Sequence, residues 1–284
     1  MAIVSIVKGK EPYSTTIKAL NQLVESGVRI PKIDVIKPNV LSVSVDDCCN
    51  TSWEVCRAVA DFVTSQGSGG LICAEGCTSG DRRDTLKGFR NWGYNKIEKI
   101  ARFIDLNLDD SGKWMRIASP GVSYEIELAI AKSLVGKNIA SVAKFKTHDC
   151  LGLTLTLKNM MGSICQARRL GDHEVLAVGY KSKKYMHGWG QKSPDDLPLK
   201  INVGPSKRAL AKNLVFLAHQ TTPKLAVIDG IVAMEGDGPV EGERKELGLI
   251  LASTDPVACD VVACEIAGFN PAETGYIYAA GKVG

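Results

Sequence analysis

The feature that most constrains the fold is a repeated alternation of short apolar runs with amphipathic helical segments. The runs read KIDVI, LICAE, NIASVAKF, KLAVIDGIVA and LGLILAS. Before the first of them, Ile17, Leu20 and Leu23 recur at helical spacing. Strands that alternate with helices form a mostly parallel sheet, and strands this apolar are buried on both faces. The sequence therefore predicts an α/β fold, a mostly parallel sheet with helices on both faces.

The same pattern bears on domain organisation and on helix boundaries. Residues 1–284 are predicted to form one α/β unit or two α/β lobes, with a long loop or boundary near 180–204, which is rich in Lys, Gly, Pro and Asp. Helices are predicted near 124–134, 209–218 and 256–266. TSWE resembles a capping box, in which Thr51 is the N-cap and bonds the backbone of Glu54.

Charged or amide side chains follow the apolar runs at the points where the predicted strands end. They are Lys37 and Asn39, Glu75, Lys146 and His148, Asp229, and Asp255. Because the carboxyl ends of parallel strands meet at one edge of a sheet, we expect these side chains to surround one cavity. The lysines predict that the cavity binds a small anion, a carboxylate or a phosphate.

Residues 144–162, KFKTHDCLGLTLTLKNMMG, hold the candidate catalytic residues His148 and Lys158. Neighbouring cations favour the neutral form of His148, which suits a general base or a metal ligand. A lysine in apolar surroundings has a lowered pKa and acts as a nucleophile or an anion anchor. The alternatives are a loop histidine bonded to backbone and a lysine that reaches the surface. Asn159, next to Lys158, is a predicted ligand-binding residue.

Two further segments carry clustered charge. KSKKYMHGW brings Lys183, Lys184 and His187 together, either to close over an anionic ligand or as a solvated run. MEGDGPVEGE places Glu235 and Asp237 among glycines, where carboxylates can bind a divalent metal ion of the hard type. A solvated turn explains that segment equally well, because its spacing does not fit the twelve-residue calcium loop.

Nine cysteines are present, an odd number without a C-x-x-C pair. Cys48, Cys49 and Cys56 follow a strand end and open a helix, so a loop can fold them over one iron–sulfur cluster or metal. The alternative is that the cysteines are buried, inert thiols. Cys259 and Cys264 fall on an apolar helix and are predicted to be packing residues.

Composition excludes several classes of protein. The net charge of +4, without a basic run that contains aromatics, argues against a nucleic-acid partner. No stretch approaches the roughly 20 apolar residues of a membrane span, and the first residues resemble a strand, so a cytoplasmic protein is expected. The glycine fingerprints of dinucleotide-binding, P-loop and serine-hydrolase folds are missing from the sequence.

The segments K-T-H…L-K-N-x-M-G and D-G-x-x-x-M-E-G-x-G-P resemble the domain-of-unknown-function 362 family over nearly the whole chain. Its members occur widely in anaerobic bacteria and archaea, and some are iron–sulfur proteins. The resemblance implies an iron–sulfur-associated redox protein with an electron-transfer partner. Cluster ligands drawn from two chains would make a homodimer.

The spacing His148-x-x-x-Gly152-x-x-x-x-x-Lys158 is also similar to a stretch of nickel-pincer lactate racemases. That similarity implies an acid/base role for His148 and an anchoring role for Lys158 in a metal- or cofactor-dependent isomerase. A non-catalytic anion-binding protein is the third alternative.

Overall fold

The computed structural model describes residues 2–41, 47–77, 84–117, 126–171, 173–187 and 204–283. The strands are β1 (Ser5–Lys8), β2 (Val35–Pro38), β3 (Leu71–Glu75), β4 (Ala101–Asp105), β5 (Ser111–Arg116), β6 (Ile126–Ala131), β7 (Ile139–His148), β8 (Gly152–Thr154), β9 (Ile164–Arg169), β10 (Val175–Val178), β11 (Leu225–Glu235), β12 (Glu243–Lys245) and β13 (Leu249–Ser253). The helices are α1 (Pro12–Glu25), α2 (Trp53–Ser65), α3 (Thr85–Asn91), α4 (Thr156–Asn159), α5 (Gly204–Thr221), α6 (Pro256–Ile266) and α7 (Gly275–Val283). Short 3-10 segments lie at Tyr94–Ile97, Lys132–Leu134 and Met160–Ser163, and a longer one of nine residues lies at Gly179–His187.

The larger sheet has the strand order β1-β13-β11-β7-β2-β3-β4, with β12 paired to β11 and β8 paired to β7. Strands β4, β3, β2, β7 and β11 run parallel to one another, which confirms the predicted mostly parallel sheet. Strand β13 is antiparallel to both β11 and β1. The carboxyl ends of the parallel strands therefore share one edge, and β13 ends at the opposite edge.

Helices cover both faces of this sheet, as predicted. Leu225 and Val227 of β11 belong to a core that also contains buried side chains of α1 and α2. Ala226 and Ile228 face the other way, into a core with buried side chains of α5, α6 and α7. Since successive strand residues point to opposite faces, one strand contributes to both cores.

A second, antiparallel sheet has the order β10-β9-β6-β5. The prediction of a helix at 124–134 was wrong, because Ile126–Ala131 is β6 and pairs with β5 and β9 on its two sides. A short apolar run such as IELAIA shows no clear period, so partner strands decide its conformation. Residues 124 and 125 lie outside the described residues.

Helix α2 begins one residue later than the capping-box prediction. The Thr51 hydroxyl accepts from the backbone N–H of Asn39 at 3.0 Å and donates to the carbonyl of Val142 at 2.8 Å. Because these sheet contacts occupy Thr51, Ser52 is the N-cap and accepts from the Glu54 N–H at 3.2 Å. Helices α5 and α6 confirm the predictions at 209–218 and 256–266.

In the part of the chain that the structure describes, every helix falls short of the length or apolar character that crossing a membrane requires. The predicted loop or boundary near 180–204 begins in the turns of Gly179–His187, and its residues 188–203 lie outside the described residues.

Candidate functional site

A cavity of about 380 Å³ opens at the edge where β2, β3 and β7 end. Its volume falls in the range of small-molecule pockets, about 300–1,000 Å³. The described residues that line it are Asn39, Val40, Leu41, Glu75, Gly76, Lys146, His148, Asp149, Cys150, Thr154, Lys158, Asn159, Met161, Gly162, Tyr180, Lys183, Lys184, His187, Pro239 and Val240. They include seven of the predicted site residues: Asn39, Glu75, Lys146, His148, Lys158, Asn159 and His187.

The floor of the cavity contains a buried ion pair between Lys37 and Glu75. The Lys37 ammonium donates to both oxygens of the Glu75 carboxylate at 2.9 Å, and both residues are almost fully buried. Asn159 fixes the pair from α4, because its Oδ1 accepts from Lys37 at 3.3 Å and its Nδ2 donates to the Lys37 carbonyl at 3.0 Å. The end of β2, the end of β3 and α4 are thus joined by charge-assisted hydrogen bonds.

Two glycines allow this close approach. A Cβ at Gly162 would lie 1.9 Å from Oε1 of Glu75 and 2.8 Å from Nζ of Lys37. A Cβ at Gly76 would lie 2.7 Å from Nζ of Lys183 and 2.7 Å from the carbonyl oxygen of Gly162. Both positions therefore exclude a side chain, which explains the glycines in the AEG and NMMG segments.

Three further lysines lack a carboxylate partner among the described residues. Lys146 donates to the carbonyl of Cys49 at 2.8 Å, and Lys158 donates to the sulfur of Met161 at 3.3 Å. Lys183, which is fully buried, donates to Oδ1 of Asn107. Neutral acceptors compensate an ammonium only in part.

Desolvation lowers the pKa of all three lysines. It lowers the pKa of Lys158 to about 8, with the charge of Lys146 as the next cause. It also lowers the pKa of Lys183 to about 8 and that of Lys146 below its ordinary value. At neutral pH, Lys158 and Lys183 stay mostly cationic.

His148 is the best-placed proton acceptor. Its side chain is 8% exposed, and its Nδ1 lies 3.0 Å from Oδ1 of Asp149. The Cys150 N–H lies 2.7 Å from that carboxylate and 3.1 Å from the His148 Nδ1. Because the carboxylate is the closer acceptor, we assign the Cys150 amide to Asp149 and the ring proton to Nδ1 of His148. This tautomer leaves Nε2 as the unprotonated nitrogen.

The pKa of His148 is lowered to about 4, chiefly by burial and in smaller part by the charges of Lys158 and Lys146, while Asp149 opposes the shift. The hydrogen bond with His148 lowers the pKa of Asp149 to about 2. At neutral pH the site therefore holds a neutral imidazole beside an ionised carboxylate. A neutral imidazole fixed in this way is suited to general-base catalysis.

Three buried polar atoms that face this region have no hydrogen-bond partner among the described residues. They belong to lining residues of the cavity: Oδ1 of Asn39, Oγ1 of Thr154 and Nδ1 of His187. Burial lowers the pKa of His187 to about 4, with Lys158 as the next cause, so this imidazole is neutral too. Buried polar atoms without partners are rare, so these three indicate a place for a polar ligand or water.

Asp260 of α6 holds the segment that presents Lys158 and Asn159. Its carboxylate accepts from the backbone N–H groups of Thr156 and Leu157 at 2.8 and 3.0 Å, and from the Thr156 hydroxyl at 2.5 Å. Asp260 is fully buried, and burial raises its pKa to about 7. Asp260 was not among the predicted site residues, although a lone aspartate inside the apolar helix PVACDVVACEI is a signal that the sequence contains. Asn107 was missed because nothing in its own segment points to Lys183.

Two predicted site residues lie elsewhere. Asp229 sits within β11 opposite Lys144, bonds that lysine at 3.0 Å and accepts from the Ser52 N–H at 2.8 Å. It is not at a strand end because β11 continues to Glu235. Asp255 follows β13, which is antiparallel to β11, and its carboxylate caps α6 by accepting from the Ala258 N–H. The expectation that all strands ended at one edge was therefore wrong for Asp255.

The acidic loop after β11 contributes apolar residues to the cavity. Glu235 and Asp237 are exposed and do not line it, and Glu235 forms an ion pair with Lys245 at 3.2 Å. Pro239 and Val240 of the same loop do line the cavity. The predicted ligand contacts of Glu235 and Asp237 are thus not part of this site.

The three cysteines predicted as cluster ligands occupy two environments. Cys48 and Cys49 pack against Met234, and the Cys49 thiol donates to the carbonyl of Pro239 at 3.2 Å. Cys56 lies in the core under α2, and burial raises its pKa to about 12. Its sulfur lies 3.5 Å from the hydroxyl of Tyr94, which itself donates to a backbone carbonyl, so the Cys56 thiol is the donor.

Among the described residues, the thiols of Cys48, Cys49 and Cys56 do not come together as a group of potential metal ligands. Cys48 and Cys49 alone are fewer than the four ligands that an iron–sulfur cluster usually needs. Cys259 and Cys264 are buried on α6 and pack in the core, as predicted. Iron binding by this chain stays a prediction.

One group of potential metal ligands occurs among the described residues. The ligand atoms of His148, Asp149 and Cys150 lie within 4.8 Å of one another. The His148 ring and the Asp149 carboxylate already bond to each other, and Lys146 and Lys158 oppose a cation there. We therefore assign no metal to this group, and the expectation of a divalent metal is untested.

Comparison with known proteins places the chain in a family. Residues 35–265 match the family described as Domain of unknown function (DUF362), and the chain belongs to that family. It is also similar to the thylakoid-associated protein sll1697 of Synechocystis sp., with 26% identity over 255 residues, which cover 89% of this chain and 67% of that protein. A cytoplasmic location, an electron-transfer partner and a homodimer stay predictions.

Proposed function

We propose that this protein is an enzyme that binds a small organic anion in the cavity and transfers a proton with His148 as the base. The observation that carries the proposal is a neutral imidazole, oriented by Asp149, at a cavity that is lined by lysines. A base with an accessible lone pair and a neighbouring cation are the two groups that removal of a weakly acidic proton requires.

The lysines supply binding and charge stabilisation in this scheme. When a proton leaves the carbon next to a carboxylate, negative charge develops on the carboxylate oxygens. An ammonium placed beside those oxygens stabilises the transition state more than the ground state. Lys158, cationic at neutral pH and within the electrostatic reach of His148, is the residue that we assign to this role. The reaction class is proton transfer next to a carboxylate, as in an isomerase or racemase.

Two other functions followed from the sequence, and neither gains support of comparable weight. A redox role depends on cluster ligands, and Cys56 lies in the core under α2, whereas Cys48 and Cys49 pack against Met234. We therefore derive no electron-transfer step. A non-catalytic anion-binding protein would need the lysines but gives no role to the Asp149–His148 pair.

Hydrogen exchange tests the proposal directly. The protein is incubated in D₂O with a panel of 2-hydroxy, 2-amino and dicarboxylic acids, and loss of the proton signal next to the carboxylate is followed by NMR. We expect hydrogen exchange in at least one compound. In His148→Gln the exchange rate should fall by about 100-fold or more, because a general base contributes roughly 10²–10⁴-fold to the rate. His219→Gln, an exposed histidine outside the cavity, is the matched control.

The pH profile separates a base from a merely structural histidine. Exchange should rise as pH increases through about 4, where His148 loses its proton, and fall above about 8, where Lys158 loses its charge. Lys158→Met should abolish the alkaline limb together with most of the rate. Exchange in His148→Gln within threefold of wild type would refute the assignment of the base.

A further inference from the structure

We infer that the ligand of this cavity is a small dianion, a dicarboxylate or a phosphate monoester, and that Lys158 and Lys183 neutralise its two charges. This inference rests on the anion site of the proposed function. It goes further by naming the charge of the ligand and by assigning Lys183, which the proposed proton transfer does not use.

The carboxylates of the lining already have partners. Among the described lining residues, Glu75 is paired with Lys37 and Asp149 bonds to His148, while the two histidines are neutral. Lys158 and Lys183 donate to neutral acceptors, so among the described residues these two positive charges have no carboxylate partner.

Two ionisable groups lie behind the lining. Lys37 is paired with Glu75. Asp105, whose carboxylate accepts from Thr85 and Asn107, attracts Lys183 but ranks last among the causes that act on the pKa of that lysine.

The way in which Lys183 is held also points to an anionic ligand. Its ammonium is fully buried, against the amide oxygen of Asn107 and close to Gly76. An ammonium has three donors, and one neutral acceptor leaves most of its desolvation uncompensated. A buried lysine without a carboxylate partner among the described residues therefore indicates a negative partner that arrives with the ligand. Lys158 is in the same condition, because its hydrogen bond within the described part of the chain is to a thioether sulfur.

Unpartnered polar atoms of the lining point to a ligand independently of charge. Oδ1 of Asn39, Oγ1 of Thr154 and Nδ1 of His187 have no hydrogen-bond partner among the described residues. Asn39 and Thr154 are 8% and 4% exposed, so bulk water does not satisfy these atoms freely. The Thr154 hydroxyl can donate to an oxygen of the dianion, whereas Oδ1 of Asn39 needs a donor, such as a hydroxyl group of the ligand or a water molecule.

The test is a comparison of probes that differ in charge. Calorimetric titration of the whole chain at pH 7 and constant ionic strength uses acetate and propionate as monoanions, malonate and succinate as dicarboxylates, and methyl phosphate and glycerol phosphate as phosphate monoesters. We expect at least one dianion pair to bind at least tenfold more tightly than the monoanions. The dicarboxylate and phosphate arms identify which chemistry the site takes.

Variants then assign the two charges. Lys158→Met and Lys183→Met should each reduce the preference for the dianion at least fivefold, whereas Lys245→Met, an exposed lysine paired with Glu235, should leave it unchanged. Titration of the wild type at pH 8.5 in two buffers of different ionisation enthalpy should also show proton uptake, because a bound dianion raises the pKa of the two lysines. This measurement and the probe comparison use the wild type, so a variant that fails to fold does not block the test.

The outcomes separate this inference from the proposed function. Monoanions that bind as tightly as dianions would overturn the dianion inference and leave proton transfer intact. If none of the probes binds, the dianion inference is overturned as well. The proposed function would then be tested by the hydrogen-exchange assay alone. Dianion preference without hydrogen exchange in any compound would support the inference and count against the enzyme.

Discussion

Replacing Gly162 by alanine should disrupt the ion pair under the cavity. The added Cβ would lie 1.9 Å from Oε1 of Glu75 and 3.0 Å from its Cδ, far inside van der Waals contact. Glu75 cannot swing away freely, because its carboxylate accepts from Lys37 at 2.9 Å and from the Gly76 N–H at 2.7 Å. Either the carboxylate leaves Lys37 or the backbone of Gly162 shifts.

Both responses carry a calculable cost. Overpacking a core costs about 1–3 kcal/mol, and separating a buried ion pair costs about 3–5 kcal/mol. We therefore expect Gly162→Ala to lower the free energy of unfolding by about 3 kcal/mol, measured by urea denaturation. Gly69→Ala is the control, because its Cβ would meet nothing within 4 Å and its φ is ordinary. It should change stability by less than about 1 kcal/mol.

A double-mutant cycle shows whether the clash with Glu75 is the cause. In a Glu75→Ala background the contact at 1.9 Å is gone, and the contact that remains, at 2.8 Å, is with Nζ at the flexible end of Lys37. The cost of Gly162→Ala should therefore fall to about 1 kcal/mol, a coupling that additive sites do not show. Equal costs in both backgrounds, or a Gly162→Ala protein as stable as the wild type, would refute the reasoning from this geometry.

Three further predictions follow from the site. Asp260→Ala removes the acceptor of two backbone N–H groups in α4, so it should lower the free energy of unfolding by about 2–3 kcal/mol, measured by urea denaturation. It should also weaken the binding of malonate or a phosphate ester at Lys158, measured by calorimetry. An unchanged affinity would show that α4 needs no such anchor. The pKa of His148 is lowered from 6.5 to about 4, so between these values the unfolded chain binds more protons than the native one. Wild type should therefore lose up to about 3 kcal/mol more stability than His148→Gln on acidification from pH 6.5 to 4, and parallel stability curves would count against a buried neutral imidazole. After anaerobic iron reconstitution, Cys56→Ser should retain the iron content of the wild type. If the wild type binds iron, the double variant Cys48→Ser/Cys49→Ser should contain less iron. Iron loss in Cys56→Ser would mean that the Cys56 thiol leaves its hydrogen bond with Tyr94.

The sequence predicted the site where it depends on strand ends. Lys146 and His148 were found because a long apolar run precedes them and the strand they close is parallel to its neighbours. The same reasoning predicted Asp255 at the wrong edge of the sheet, because an apolar run has the same pattern in a parallel and an antiparallel strand. Strand direction is set by pairing between distant segments, which no local pattern records.

The residues that hold the site in place from distant segments could not be predicted from local sequence patterns. Asn107 bonds Lys183 across 76 positions of sequence, and Asp260 holds Thr156 across 104. Gly162 could be recognised as a glycine but not as the neighbour of a carboxylate, because the clash exists only after β3 and the turn after α4 meet. Contacts of this kind follow from tertiary packing, and only a structure supplies them.

The ion pair at the cavity floor has a consequence for the order in which the molecule can mature. Lys37 and Asn159 are separated by 122 positions, and Lys183 follows later still in the chain. A growing chain that has reached Glu75 holds both partners of the ion pair but none of the segments that cover them. Pairings this distant in sequence form slowly, since a large loop must close first. A ligand held by Lys158 and Lys183 stabilises only a chain in which these segments have reached the ends of β2 and β3, so the onset of ligand binding during synthesis or refolding would date the closure of the cavity.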